Sequence, residues 1–496
     1  MFLPKKAIGF SLLTLGMLGS CGKSYLELQP RNALSTGQFY QTQNDAIQAT
    51  NSTYAQLRGY GYYGESLWSM DIMADNSFVG GGGASDGIEL QQLDTYTIPS
   101  SNPIVTALFQ RSYLGVGACN QVLANVPSIQ NIDPVIQNRS LGEAEFMRAF
   151  YYFSLTRLFG DVPLILTPAP DAASAASVGR DPSATVYAQV EKDLLDAITK
   201  LPTSYSGDDV GRATKWSATA LLAKVYLTEG KMTQAATQAQ AVISGSGKSL
   251  WANYGDNFSL ANENGQESLF EVQYKQGLNA YTMDGPGSAI NEFWGARFFG
   301  NPYVVSGGGY GFNIPEKEFV DGYEPGDKRK AVTVFVPGDL YTDGPKDAKG
   351  NVQVQPASLQ GDPNGYNIRK FYAGTASTIW DSPLNVPVLR LSEMYLIVAE
   401  ADITTGKTAE GLTALNVVRT RAGLPNATTL SQNVVLKERR YELAFEMDRW
   451  YDLKRTKTLV NNPNLLSKGI KPYNDLLPIP QAERDVNPNL GQNPGY

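Results

Sequence analysis

The chain has 496 residues, with 41 Lys plus Arg against 48 Asp plus Glu for a formal net charge of −7, two Cys and no His. Without imidazole there is no Ser-His-Asp or Cys-His pair and no His metal ligand, so any catalysis would fall to carboxylate, Lys, Tyr or thiol. A hydrophobic fraction of 42% with 10% aromatics suits a large buried core and excludes wholesale disorder, while the lack of a basic excess argues against nucleic acid as a partner.

In chain order, residues 1–20 read as a secretory leader. Lys5 and Lys6 form its positive end, and the apolar stretch 7–18 is too short to span a ~30 Å hydrocarbon core. Leu18-Gly19-Ser20-Cys21 follows and resembles a bacterial lipobox, which would make Cys21 the acylated first residue of the mature chain. The alternative is an ordinary secretory peptide with a chance Cys. With Cys21 acylated, Cys119 has no disulfide partner, and its place in the apolar-periodic run 104–126 marks it as a small core hydrophobe. No later segment is long and apolar enough to cross a membrane.

Phe146, Met147, Phe150 and Phe153 form a helical stripe in 141–159 that stops at Gly160-Asp161-Val162-Pro163. A second stripe, Val186, Val190, Leu194, Ile198 and Leu201, stops at Pro202. An internal repeat lays 222–242 onto 398–418 without a gap, each copy reading as helix, Gly-Lys turn, helix. Leu222, Ala223, Tyr226, Ala235, Ala239 and Val242 have the spacing at which tetratricopeptide helices interlock. The second copy is more degenerate, with Asp402 and Gly411 where Tyr and Ala are expected. Two units are too few to stand alone, so other helices must pack on them.

A further helix is predicted between Leu430 and Leu459. Most of its charges, Lys437, Glu438, Arg439, Arg440, Glu446, Asp448, Arg449, Asp452, Lys454 and Arg455, are expected on a solvated face. Residues 60–102 and 246–387 lack helical period and are rich in Gly, Tyr, Asn and Pro, with glycine runs at 80–83 and 307–309. Short strands and turns that carry the function are expected there, on a helical scaffold spanning about 30–59, 103–245 and 388–460.

Taken together, the lipobox with Leu26-Glu27-Leu28-Gln29-Pro30 behind it, Arg148-Ala149-Phe150-Tyr151-Tyr152-Phe153, Phe159-Gly160-Asp161-Val162-Pro163-Leu164 and Gly211-Arg212-Ala213-Thr214 resemble the SusD/RagB family of outer-membrane nutrient-binding lipoproteins. The likeness continues through Arg390-Leu391-Ser392-Glu393-Met394-Tyr395-Leu396, Asn416-Val417-Val418-Arg419-Thr420-Arg421-Ala422-Gly423, Glu438-Arg439-Arg440-Tyr441-Glu442-Leu443, Arg449-Trp450-Tyr451-Asp452-Leu453 and Leu477-Pro478-Ile479-Pro480 to the closing Gln492-Asn493-Pro494-Gly495-Tyr496. Met447 departs from the pattern by standing where such proteins usually have Gly, a change expected to alter local helix packing. The resemblance implies a mostly α, tetratricopeptide-like helical-hairpin scaffold with long loop-rich insertions containing short strands, forming a single SusD-like domain over 21–496. It also implies a lipid-anchored, surface-exposed outer-membrane protein that sits over a SusC-like TonB-dependent transporter and presents oligosaccharide to it. Membrane contact would be through the lipid (palmitate) anchor only, and no cofactor is called for. The ligand itself does not carry over.

A sugar ring has an apolar face and a hydroxyl rim, so its site needs exposed aromatic plates beside amides, carboxylates or guanidinium groups. Trp216 and Trp450, in helical motifs, are expected in the core, Trp251 at a helix end, and Trp380 is open to either reading. Trp68 and Trp294, in Gly-flanked aperiodic segments, are the candidate platforms. Tyr62, Tyr63 and Tyr310 support them, with Asn76, Asn291 and Arg297 as hydroxyl partners.

Other signals carry less. Gly245-Ser246-Gly247-Lys248-Ser249 lacks the first Gly and the preceding strand of a phosphate loop. Asp339, Asp343 and Asp347 recur every fourth residue, which is not calcium-loop spacing, so no metal site is expected. The expected function is non-catalytic binding of oligosaccharide or polysaccharide. A carboxylate-dependent glycoside hydrolase and a repeat scaffold that binds only protein are the alternatives.

Overall fold

A computed structural model describes residues 39–64, 66–277, 285–298, 300–301, 308–342, 350–372, 376 and 378–496. The leader, Cys21, the 26–30 segment, Asp343 and Asp347 lie outside the described residues.

The first three scaffold helices start on side-chain caps. Helix α1 (Gln43–Arg58) opens on a capping box, with Asp45 N donating to Thr42 Oγ1 at 3.2 Å and Thr42 N donating to Asp45 Oδ2 at 2.8 Å. Helices α2 (Pro103–Asn125) and α3 (Pro134–Phe159) begin with Pro behind an Asn102 and an Asp133 cap. Gly160, at φ 74°, ends α3. After α4 (Ser183–Lys200) come the two predicted hairpins, α5 (Lys215–Glu229) with α6 (Met232–Gly245), and α7 (Leu391–Thr405) with α8 (Thr408–Ala422). Their turns use Gly230 at φ 76° and Gly406 at φ 78°, left-handed positions that glycine takes without a Cβ penalty. Ala223, Ala235, Ala239 and Val242 are fully buried where the helices meet.

From α1 to α8 each helix packs on the next, including α6 on α7. The long insertion between α6 and α7 therefore leaves the row of helices unbroken, and this row is what the two repeats lean on. Among the described residues no helix is long and apolar enough to cross a membrane.

Among the described residues, three two-stranded antiparallel ladders pin the irregular segments. Strand β1 (Ser77–Phe78) pairs with β3 (Ile314–Pro315) and ties the first excursion to the second. Strand β2 (Ser268–Val272) pairs with β6 (Val386–Arg390) and pinches the long excursion at its base. Strand β4 (Val334–Phe335) pairs with β5 (Asn367–Ile368) within it.

The predicted helix over 430–459 is two pieces, α9 (Gln432–Glu442) and α10 (Arg449–Arg455). Between them Phe445 and Met447 hold φ values of 59° and 65°, so Met447 occupies a left-handed turn position that suits glycine. The solvated-face reading of its charges also fails. Glu438, Arg439, Asp448 and Asp452 are buried, as is Glu442. Arg329, Arg390 and Arg421 enter the same interior from other elements. Buried charge survives only when paired, and here Arg390 binds Glu267 at 2.8 Å, Glu442 at 3.0 Å and Glu446 at 2.8 Å, while Arg439 binds Asp452 at 2.9 Å. Burial alone would raise Glu442, but the guanidinium groups of Arg421, Arg390 and Arg329 outweigh it and hold the carboxyl well below its ordinary range.

Cys119 is a free, fully buried thiol whose pKa burial pushes up, in keeping with a core role.

Candidate functional site

Most of the predicted site residues lie in the core, which corrects the expectation made for them. Trp68 is 0% and Trp294 2% exposed, and the two rings pack edge to face with centroids 5.8 Å apart. Trp294 also meets Phe371 at 5.2 Å and Trp68 meets Phe293 at 5.7 Å. Neither indole offers a face to a sugar. Tyr62 packs on Phe150 and Tyr151 of α3, Tyr63 is buried beside it, and burial pushes the Tyr62 hydroxyl up to about 12. Asn76 is buried, its Oδ1 accepting from Arg440 Nε at 2.7 Å, and Asn291 is buried in the short helix Ile290–Trp294.

The remaining two, Arg297 and Tyr310, are partly exposed and lie together. Tyr310 continues the aromatic chain outward from Trp68, packing on Phe293 at 5.5 Å and Phe312 at 6.0 Å. Arg297 Nη1 donates to Asp86 Oδ2 at 2.9 Å and to the Tyr310 carbonyl at 3.0 Å, and its Nε donates to Gln360 Oε1 at 3.1 Å. Asp86 also accepts from Gly82 N at 2.6 Å. Nη2 of Arg297 has no partner among the described residues. Three separate stretches of chain thus converge on one guanidinium that retains a free donor, beside a carboxylate, an amide and a tyrosine ring.

Glycine makes that convergence possible. Tyr310 N donates to Glu292 O at 2.8 Å and Gly311 N to Gly295 O at 3.0 Å, while Gly81 N donates to Gly311 O at 2.9 Å. A Cβ at Gly309 would lie 2.0 Å from Gly295 O, and one at Gly80 would lie 2.1 Å from Gly311 O. Side chains at either position would force the backbones apart.

Sequence reasoning missed Asp86 and Gln360. Asp86 follows the glycine run at 80–83 closely, and Gly361, directly after Gln360, approaches Gly81 O so closely that its Cβ would fall at 2.7 Å. The glycines signalled close approach without saying which segments meet. Of the other tryptophans, Trp450 is core as expected, whereas Trp216 is only half-buried and lines a hollow with Tyr205. Trp251 and Trp380 are half-buried. Among the described residues no group of three His, Cys, Asp or Glu could hold a metal ion.

The chain matches the model of the SusD family over residues 258–496, and a second model, described as starch-binding associating with outer membrane, over residues 24–227. SusD-like protein P2 of Formosa agariphila is 29% identical over 100% of both chains. A solved laminarin-binding SusD-like protein superposes with a TM-score of 0.80 at 31% identity, over 91% of this chain and 99% of that one. Surface glycan-binding protein A from Bacteroides thetaiotaomicron, solved in complex with laminarihexaose, superposes with a TM-score of 0.78 at 21% identity over 91% and 99%, a likeness of fold.

Proposed function

Since the chain belongs to the SusD family, we propose that it is a non-catalytic cell-surface binder of oligosaccharide or polysaccharide that hands its ligand to a SusC-like TonB-dependent outer-membrane transporter. It would be held at the outer membrane by lipid on Cys21. A laminarin-binding relative at 31% identity makes laminarin the first ligand to test.

The observation that carries the reading is the glycine-locked rim around Arg297. A sugar hydroxyl both donates and accepts, so it is matched by Arg297 Nη2 and the Gln360 amide as donors and Asp86 as acceptor. The partly exposed Tyr310, whose carbonyl accepts from Arg297, would offer its ring to the apolar face of a pyranose. The Asp86 carboxylate neutralises Arg297 at 2.9 Å, which suits an uncharged saccharide. Glycine contacts fix the described backbone at 80–81, 309–311 and 361, which lowers the conformational entropy that binding would cost. Tethering beside a transporter would raise the effective concentration, so modest affinity suffices.

A hydrolase needs two carboxyl groups facing each other across a cleft. Burial pushes Glu263 up to about 7 and raises Glu271, but both are bonded to one residue, Asn385, whose backbone N donates to Glu263 at 2.8 Å and whose Nδ2 donates to Glu271 at 3.0 Å. That geometry favours a structural pair. Incubating the protein with laminarin and related glycans tests the proposal: binding without release of new reducing ends is expected. Steady release would establish the hydrolase, and absence of any glycan affinity would leave the protein-only scaffold.

A further inference from the structure

A second site is built on the helical side of the molecule, away from the Arg297 rim in sequence and sharing none of its residues. A groove of about 400 Å³ lies between the last turns of α1, the loop preceding α5 and strand β2. Asn51, Tyr54 and Arg58 line it at i, i+3 and i+7, the spacing of one helical face, with Gly211 and Phe270 opposite. Gly211 sits at φ 98°, and a Cβ there would lie 2.5 Å from Gln273 Cδ, so glycine sets the position of the loop wall.

Arg58 is the unusual member. It is half-buried, yet alone among the arginines of the described residues it makes neither an ion pair nor a hydrogen bond. The other guanidinium in the lining, Arg212, is taken by Asp209 at 2.6 Å and Glu143 at 3.1 Å. The carboxylates at hand do not serve Arg58 either. Glu271 is buried and accepts from Asn264 N and Asn385 Nδ2, and burial raises its pKa toward the neutral form, while Asp208 at the mouth forms no ion pair with it. Nearby, Tyr274 is buried with its hydroxyl unpartnered among the described residues, and it feels the Arg58 charge against a burial that pushes it up. A guanidinium presents a planar fork of donors matched to a carboxylate, and in a partly desolvated groove such a pair is worth more than on open surface.

From this we propose that the groove is a second ligand site, selective for a sugar unit bearing a carboxylate that pairs with Arg58. The half-exposed Tyr54 ring supplies the apolar wall, and the exposed amide of Asn51, one side of the same helical face, meets hydroxyls. The site is independent of the Arg297 rim, which presents a neutralised pair rather than a free cation.

The test titrates the purified protein with glucuronic acid, glucose and acetate, followed by calorimetry and saturation-transfer NMR. Glucuronate is expected to bind at least about ten-fold more tightly than either comparator. R58Q should abolish that margin, R58K should keep part of it, and R297A should leave it intact, with melting temperatures confirming the fold of each. Equal binding of glucose and glucuronate, acetate binding as tightly as glucuronate, or an undiminished margin in R58Q would overturn the proposal. Loss of laminarin binding in R297A with the glucuronate margin retained separates failure at one site from failure at the other.

Discussion

Glu442→Gln asks whether the structure rests on the charges it buries at the end of α9. The Glu442 carboxylate accepts from Arg421 at 2.5 Å, Arg390 at 3.0 Å and Arg329 at 3.2 Å, and it is fully buried. Glutamine keeps the shape but turns amide N–H groups toward guanidinium groups and removes one negative charge from among three positive ones. Each arginine retains another carboxylate: Arg329 has Asp327 and Glu438, Arg390 has Glu267 and Glu446, and Arg421 has Glu267. That retention places the loss at the low end of the ~3–5 kcal/mol seen when one partner of a buried pair is removed, about 3 kcal/mol. Unfolding entropy scales with length, so in a cooperative unit of roughly 450 residues each kcal/mol is worth ~1 °C, and the melting temperature at pH 7 should fall by about 3 °C in scanning calorimetry. The control is Asp196→Asn, which breaks an ion pair to Lys192 whose side chains are 40% and 65% exposed, and which should shift melting by less than ~1 °C. Because Glu442 is held below its ordinary value of 4.5, the difference between parent and Glu442→Gln should shrink as the pH falls below 4.5. Equal shifts in the two variants, or a gap that widens in acid, would refute the reasoning.

Arg297→Ala should lower affinity for the bound glycan about ten-fold or more in calorimetric titration, with melting unchanged, since it removes the donor at the centre of the rim but no core contact. Trp68→Ala should act on the fold instead, costing ~3–5 kcal/mol and about as many degrees of melting temperature, because its ring fills space between Trp294 and Phe293. Glu263→Gln should melt higher than the parent at pH 8 and equal to it near pH 4.5. Its folded pKa, raised by burial to about 7, makes the parent lose stability as pH rises from 4.5 through 7, a penalty the amide does not carry. A Glu263→Gln curve parallel to the parent across that range would count against the assignment.

The scaffold was legible because its determinants are local. A helix announces itself by its own apolar period, and the hairpin turn by Gly230-Lys231 and Gly406-Lys407, whose left-handed glycine closes the helix on its own last turn. The charged run of α9 misled for the opposite reason: the partners that make burial tolerable come from Arg329, Arg390 and Glu393, far away in sequence, and charge spacing on one helix says nothing of them. The tryptophans misled through their glycines. Glycine beside Trp68 and Trp294 suggested open loop, whereas Gly295 and Gly309 are there so that two backbones can touch, which shuts the aromatic rings in. Only Arg297 and Tyr310, at the outer end of that aromatic chain, kept the exposure expected of them.

This arrangement separates what must be constant from what is free to vary. The long excursion leaves α6 and returns to α7 through the β2–β6 ladder, and the buried charges hold Arg390 at the end of β6 against Glu442 of α9. Its outer loops are fixed again by β1–β3 and by glycine contacts at 80–81, 309–311 and 361. Backbone position at the rim is therefore set by residues that face away from any ligand. Asp86 and Gln360 bear little of that load, since their partly or fully exposed side chains contribute to the rim but not to the core. Substitution there should change which saccharide is held without changing melting, whereas substitution at Gly80 or Gly309 should disturb both. Specificity in this chain then depends on a few exposed side chains carried by a backbone that glycine and buried charge keep in place.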